Sequence, residues 1–212
     1  MGTQISSDHP IPGFLQKTRT EAQKHGLGKL VFDLSYRRRR SRQLVGVVLV
    51  FFLTFMSHPS MGGLVIGAIL ATLGMLVRLW ASGFVMKNEV LATSGPYGLV
   101  RHPLYVGNLL ICAGFCVASG LWWSYPLALA MLLFYYPQTI QYEDHHLRNI
   151  FQESWDEWAA ETKALLPRMT PYTKSQDGAS WSLKRSMMRN GEPLHIVVLG
   201  GCLLYIYFVK LA

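Results

Sequence analysis

What most limits the folds open to this chain is the separation of its charges from long apolar runs. Residues 61–85 form an unbroken run longer than the roughly 20 helical residues that cross a bilayer core. Residues 44–57, 104–118, 122–138 and 194–209 are apolar runs of shorter length. In lipid every backbone N–H and C=O must be satisfied within its own segment, which favours helices. The pattern therefore predicts an all-α chain, a polytopic membrane helix bundle of about five transmembrane helices. Half of the 212 residues are hydrophobic and 15% are charged, with a formal charge of +8. A nucleic-acid binder would spread such a basic excess over a soluble face, whereas here it is confined between apolar runs, so no nucleic-acid partner is expected.

The charges also predict an orientation. The N-terminal arm carries nine Lys/Arg, the 84–104 loop two and the 138–192 segment seven, while the short loops at 58–60 and 119–121 carry none. By the positive-inside rule the N-terminus, the 84–104 loop and the 138–192 segment are cytosolic, and the C-terminus is outside. Three regions follow: a basic, interfacial arm over 1–42, a membrane core over 43–170, and a linker with a last transmembrane helix over 171–212. In the arm, Leu27, Leu30, Val31 and Leu34 recur at helical spacing before a polybasic collar of Arg37 to Arg40 and Arg42. A solvated basic tail is the equal reading for residues 1–25. The opening Met1-Gly2-Thr3-Gln4-Ile5-Ser6 fits a loose N-myristoylation pattern that chance explains better, and no cleavable signal is expected.

Within the core, His58-Pro59 marks a turn and Gly62, Gly63, Gly67 and Gly74 permit close helix contact. Arg78, deep in the second run, faces the bundle interior or snorkels. Trp122 and Trp123 mark an interface. Cys112, Cys116 and Cys202 all fall in apolar runs. The first two are spaced i, i+4, not at a zinc or redox spacing, and read as buried small hydrophobes.

Residues 94–107 interrupt this apolar pattern with Arg101, His102, two tyrosines and three glycines. Polar, kinked backbone at the mouth of a bundle is a functional-site hypothesis by default. Gly95-Pro96 signals a turn, and His102-Pro103 signals a helix start whose free N–H groups favour an anion. Downstream, Glu143, Leu147, Ile150 and Phe151 share one helical face, so Glu143 projects from an apolar side where a carboxylate needs a partner. Pairing with Arg101 or Arg78 is the plain structural reading. Ser154-Trp155-Asp156-Glu157 is a capping-box sequence, which predicts a break near Gln152 and a second helix from Trp155. A cytosolic helical hairpin bearing a buried acid and two indoles, Trp155 and Trp158, could then close over the motif loop, or the indoles could anchor at the interface. Glu143-Asp144-His145-His146 superficially suggests a metal site, but the two histidines point apart on a helix, and no metal is expected.

Arg101-His102-Pro103-Leu104-Tyr105-Val106-Gly107 resembles the R-H-P-x-Y-x-G motif of the isoprenylcysteine carboxyl methyltransferase and phospholipid methyltransferase superfamily of integral-membrane enzymes. Thr93-Ser94-Gly95-Pro96-Tyr97 resembles its T-S-G-x-Y, and Glu143-Asp144, with Leu147, Phe151, Trp155 and Trp158, is similar to its E-E…L…F-G-x-x-Y-x-x-Y ending. The resemblance covers about residues 61–170. It implies S-adenosylmethionine as cofactor, held between the loop and the acidic helix by Leu91, Ala92, Tyr97, His102, Pro103, Leu104, Tyr105 and Glu143. It further implies methyl transfer to a lipophilic substrate from the bilayer, with Arg101 and Glu143 as the catalytic candidates, in a bacterial inner membrane or an internal eukaryotic one. A phospholipid or amine N-methyltransferase, a thiol methyltransferase and a non-enzymatic scaffold stay as alternatives. The chain departs from the pattern at Asp144, Gln152 and the two tryptophans, and at Thr139, where the isoprenylcysteine enzymes carry an Arg for the substrate carboxylate.

Overall fold

A computed structural model describes residues 39–86, 89–174 and 180–211, with side chains from residue 46 onward. The expected interfacial helix and the myristoylation pattern lie outside these residues. Among the described residues the chain is helical without a strand. It divides into two units, residues 1–45 and 46–212, and everything below concerns the second.

Helix α1, Arg39–Met56, ends at the His58-Pro59 turn, and α2, Met61–Ser82, begins with Ser60 capping the Gly63 N–H at 3.1 Å. A single turn, α3, Pro96–Leu99, leads into α4, Pro103–Ser119, with proline at the first position of each. The chain reverses at Gly120 in a left-handed conformation, φ 68°, that a side chain would strain. Here the His58 N–H donates to Ser119 O at 2.8 Å, which joins the two turns at one end of the bundle.

Helices α2 and α4 form the central pair. Gly67 meets Gly114 and Gly74 meets Gly107, an antiparallel register in which glycine faces glycine one heptad apart. An added Cβ at Gly74 would lie 2.6 Å from Gly107 O, and one at Gly114 the same distance from Gly67 O. Such contact lets dispersion forces act between backbones, the kind of packing that holds helices together in lipid. Leu64, Ala71, Ile111 and Phe115 complete the core with Val50 and Leu53 of α1. Cys116 and Cys202 are buried within it as small apolar side chains.

After α4 the structure departs from the expected sequence of spans. Helix α5, Ser124–Ala130, passes through a π-helical stretch, Met131–Tyr135, directly into α6, Tyr136–Phe151. The fourth apolar run and the acidic helix are thus one continuous rod, because the loss of hydrophobicity at Gln138 changes the helix's surroundings but breaks no hydrogen bond. The break does fall at Gln152, at φ 47°, but helix α7 resumes at once as Glu153–Glu161. Gln152 occupies its N-cap position and no side chain caps it, so the expected restart at Trp155 and its capping box are not formed. Ile150, expected on the buried face with Glu143, is exposed, whereas Phe151 packs inward.

The chain ends in α8, Glu192–Tyr205, prolonged by a π-helical stretch, Ile206–Leu211. Among the described residues, α2 and the 192–211 rod are the helices long and apolar enough to cross a membrane, each with mean hydropathy 2.0. The apolar parts of α1 and α4, Gly46–Met56 and Pro103–Ser119, are shorter.

Candidate functional site

The motif loop takes its shape from local chemistry. Gly95 sits at φ 61°, where the Phe84 ring packs against its bare Cα, and Pro96 starts the single turn of α3. Val100 is extended and His102 precedes the proline that opens α4. The loop does not stand alone. Arg101 N–H donates to Lys163 O at 2.9 Å and His102 N–H to Ala164 O at 3.1 Å. Arg168 and Tyr172 N–H groups donate back to Leu99 O and Gly98 O, each at 2.9 Å. Residues 163–172 thus run alongside the loop after α7. Arg168 and Lys174 hold the exposed Glu161 carboxyl below its usual range and tie this return segment to the end of α7.

Helix α6 brings its acids to the same place. Tyr105 Oη donates to Glu143 Oε2 at 2.6 Å. Asp144 reaches His102 Nε2 at 2.9 Å and Arg101 Nη2 at 3.4 Å. The plain structural reading, an ion pair of Glu143 with Arg101 or Arg78, is therefore corrected. Asp144 takes Arg101, and Arg78 pairs with Glu192. On a helix successive side chains diverge by about 100°, so only one of two adjacent acids can face the arginine and the other must turn to Tyr105. Asp144 is the site residue that sequence reasoning noticed only as a departure from the family pattern; its adjacency to Glu143 was the available signal.

Aromatic rings close the site. His102, Tyr105 and Tyr136 follow one another at 5.4 and 5.6 Å between centroids, with Tyr136 delivered at the end of the π-helical stretch. Such stretches often mark functional positions, since they shift side chains off the α-helical register. Trp155 lies beneath the Arg101 guanidinium at 5.6 Å and the Arg148 guanidinium at 6.0 Å. Trp158 is wholly buried and donates from Nε1 to Tyr97 O at 3.0 Å. Leu91, Tyr97 and Trp158 share an apolar cluster with Ala81 and Tyr172, with Ala92 and Leu104 at its margin. The structure thus gathers Tyr97, His102, Pro103, Leu104, Tyr105 and Glu143, and puts Leu91 and Ala92 beside them through that cluster.

Two donors in this site are buried with no hydrogen-bond partner, Arg101 Nε and Trp155 Nε1. A buried donor left unpaired costs roughly 1–3 kcal/mol, so the pair favours an acceptor-rich ligand such as a carboxylate. Glu143 and Asp144 supply acceptors for an ammonium or for hydroxyls, and the ring faces suit a soft cation. This donor set fits a zwitterionic nucleoside sulfonium.

Burial, aided by the charge of Glu143, pushes the Tyr97 hydroxyl well above the ordinary tyrosine pKa of 10.0. A pKa raised in the folded state contributes stability that is lost as pH rises past the unfolded value. Folding is therefore expected to weaken above pH ~10 by up to about 1.4 kcal/mol per pH unit on account of this group. Denaturant unfolding between pH 9 and 11, compared with Tyr97→Phe, measures it: the wild-type curve should fall more steeply, and parallel curves would contradict the assignment.

Apolar helices meeting a cytosol-type polar loop, an R-H-P-x-Y-x-G turn and an acidic helix define a methyltransferase-type membrane site. The chain matches the phospholipid methyltransferase family over residues 41–154 and belongs to it. Methyltransferases of this family use S-adenosylmethionine. Among curated proteins it is similar to the cobalt-zinc-cadmium resistance protein CzcN of Cupriavidus metallidurans, 37% identical over 157 residues that cover 69% of this chain and 72% of that protein. It is similar also to the nickel-cobalt-cadmium resistance protein NccN of Alcaligenes xylosoxydans xylosoxydans, 37% identical over 139 residues, 61% of this chain and 63% of the relative. No solved structure matches it. The family and the two long apolar helices agree in indicating a membrane protein.

Proposed function

We propose that this chain is an integral-membrane, multi-pass methyltransferase that uses S-adenosylmethionine to methylate a lipophilic acceptor, with α1, α2, α4, the α5–α6 rod and α8 as its five spans and its site on the cytosolic side. The observation that carries the reading is the Tyr105–Glu143 hydrogen bond, which joins the motif loop to the acidic helix beside two unsatisfied donors. When bound, the cofactor supplies an electrophilic methyl group on a sulfonium. The residues of this chain bind and orient. Arg101 Nε and Trp155 Nε1 receive a carboxylate, Glu143 an ammonium or ribose hydroxyl, and Tyr105 and Tyr136 present ring faces to a cation. Leu91, Ala92, Tyr97, Pro103 and Leu104 keep water from the nucleoside. Holding two reactants in a near-attack arrangement accounts for roughly 7–11 kcal/mol of a barrier, so positioning carries most of the catalysis.

The acceptor reading turns on Thr139. Its side chain is buried and donates to Tyr135 O at 3.0 Å, which leaves no cation at the position where isoprenylcysteine enzymes hold a carboxylate. That observation favours the second reading, an amine or thiol acceptor, whose proton must be removed. His102, held by Asp144, and Glu143 are the bases within the site. The relatives' names connect the family to resistance against cobalt, zinc, cadmium and nickel. We infer an indirect link through modification of a membrane component, because among the described residues no group of three or more His, Cys, Asp or Glu side chains gathers at metal-binding range. Incubating purified protein and membrane lipid extract with methyl-tritiated S-adenosylmethionine tests the proposal. Label in a lipophilic product supports it, base-stable for an amine or thiol and base-labile for an ester. Absence of transfer to every extract fraction would overturn the enzymatic reading.

A further inference from the structure

Residues 180–192 lie beyond the family-matched stretch, yet they satisfy backbone groups that α2 cannot satisfy itself. The last carbonyls of a helix have no partner within it. Here Trp181 Nε1 donates to Leu79 O at 3.4 Å, Asn190 Nδ2 to Ser82 O at 2.7 Å, and Arg185 Nη1 to Gly83 O at 2.7 Å. Arg185 is also a cation at the negative end of the helix dipole. A Cβ on Gly83 would collide with the Trp181 indole, so the contact depends on that glycine. Inside the bundle, Glu192 grips Arg78 through both carboxylate oxygens, at 2.8 and 3.1 Å, with both side chains buried. Arg78 Nη1 in turn donates to Asn108 Oδ1 at 2.6 Å, one turn along α4 from Tyr105. Arg189 reaches Glu89 at 2.8 Å, two residues before Leu91.

These contacts converge on one thing, the exit of α2 into the chain that carries Leu91 and Ala92 to the site. They add nothing to the glycine faces that hold α2 against α4, which lie further along both helices. We propose that the 180–192 segment is a brace that positions residues 89–95 against the cofactor, with Arg185, Asn190 and Glu192 as positioning residues; this rests on the function proposed above. Loss of the brace loosens the loop and weakens cofactor binding while the bundle stays folded.

The test uses the full chain purified in detergent, with S-adenosylhomocysteine as the calorimetric probe and hydrogen exchange as a readout independent of any ligand. The double variant Arg185→Ala, Asn190→Ala is expected to bind about tenfold or more weakly, since small displacements of positioning groups carry effects of that size. Amides of 89–95 should exchange faster, while those of 107–114 keep wild-type protection. Glu192→Gln, which leaves Arg78 facing a neutral partner, should weaken binding further, and Glu192→Asp should recover part of the loss. Faster exchange at 89–95 in a protein whose wild type binds no S-adenosylhomocysteine would uphold the brace and sink the proposed function. Unchanged exchange and unchanged affinity in the double variant would overturn the brace. Global loss of protection in that variant, reaching 107–114, would likewise overturn it in favour of a purely structural role.

Discussion

Glu143→Ala is expected to abolish measurable S-adenosylmethionine binding while the helical bundle remains intact. The carboxylate faces Tyr105 at 2.6 Å and stands on α6, outside the apolar clusters that hold the fold. Its removal therefore leaves no cavity among packed helices and frees only a hydroxyl at a partly open position. A hydrogen bond to a charged group is worth about 1.5–3 kcal/mol, and each 1.4 kcal/mol is tenfold in affinity. Losing one or two such bonds to the cofactor weakens binding by roughly 10- to 1,000-fold. Tyr105→Phe keeps the charge and loses only the bond that orients it, so its effect should be smaller. Titration calorimetry with circular dichroism on each variant distinguishes the cases. Wild-type affinity in Glu143→Ala refutes the role given to this residue.

The second large effect belongs to the fold. Gly114→Val places two methyl groups where a Cβ alone would already stand 2.6 Å from Gly67 O and 2.7 Å from Ala71 N. Overpacking usually costs about 1–3 kcal/mol because side chains shift to make room. Here the obstacle is backbone on a packed helix, so the cost should reach or exceed the upper end, about 3 kcal/mol. Most of a marginal stability of ~5–15 kcal/mol could be consumed by a few such contacts. Gly200→Val on α8 is the control, since nothing lies within 4 Å of its added Cβ. Thermal unfolding in one detergent should show a lowered midpoint for the first and none for the second; equal midpoints would show that the α2–α4 contact does not hold the bundle.

Features governed by local chemistry were legible in the sequence. His58-Pro59, Gly95-Pro96 and His102-Pro103 lie at the turns and helix start expected of them, because proline and glycine constrain the backbone whatever surrounds it. The glycines of α2 pointed to a close helix contact, although their partners Gly107 and Gly114 are visible only once the helices cross. Features governed by tertiary contact were not legible. The rod from Ser124 to Phe151 has no break where its hydrophobicity ends, since polarity and backbone continuity are independent. Gln152 adopts a positive φ that nothing in its own side chain requires, and so the capping box two residues on goes unused. Arg78 finds its partner 114 residues away in Glu192, a distance over which no periodicity speaks. Which of Glu143 and Asp144 faces Arg101 depends on how α6 rotates against α4, and spacing alone cannot set that angle.

The account depends on a cofactor seated between the loop and the acidic helix, and equilibrium dialysis of radiolabelled S-adenosylmethionine against the purified wild-type chain examines that most directly. Saturable binding, displaced by unlabelled S-adenosylhomocysteine and lost in Glu143→Ala, is the predicted result. No retention of label at millimolar cofactor by folded protein would contradict it, and would leave the Tyr105–Glu143 and Arg101–Asp144 contacts as structural ties alone.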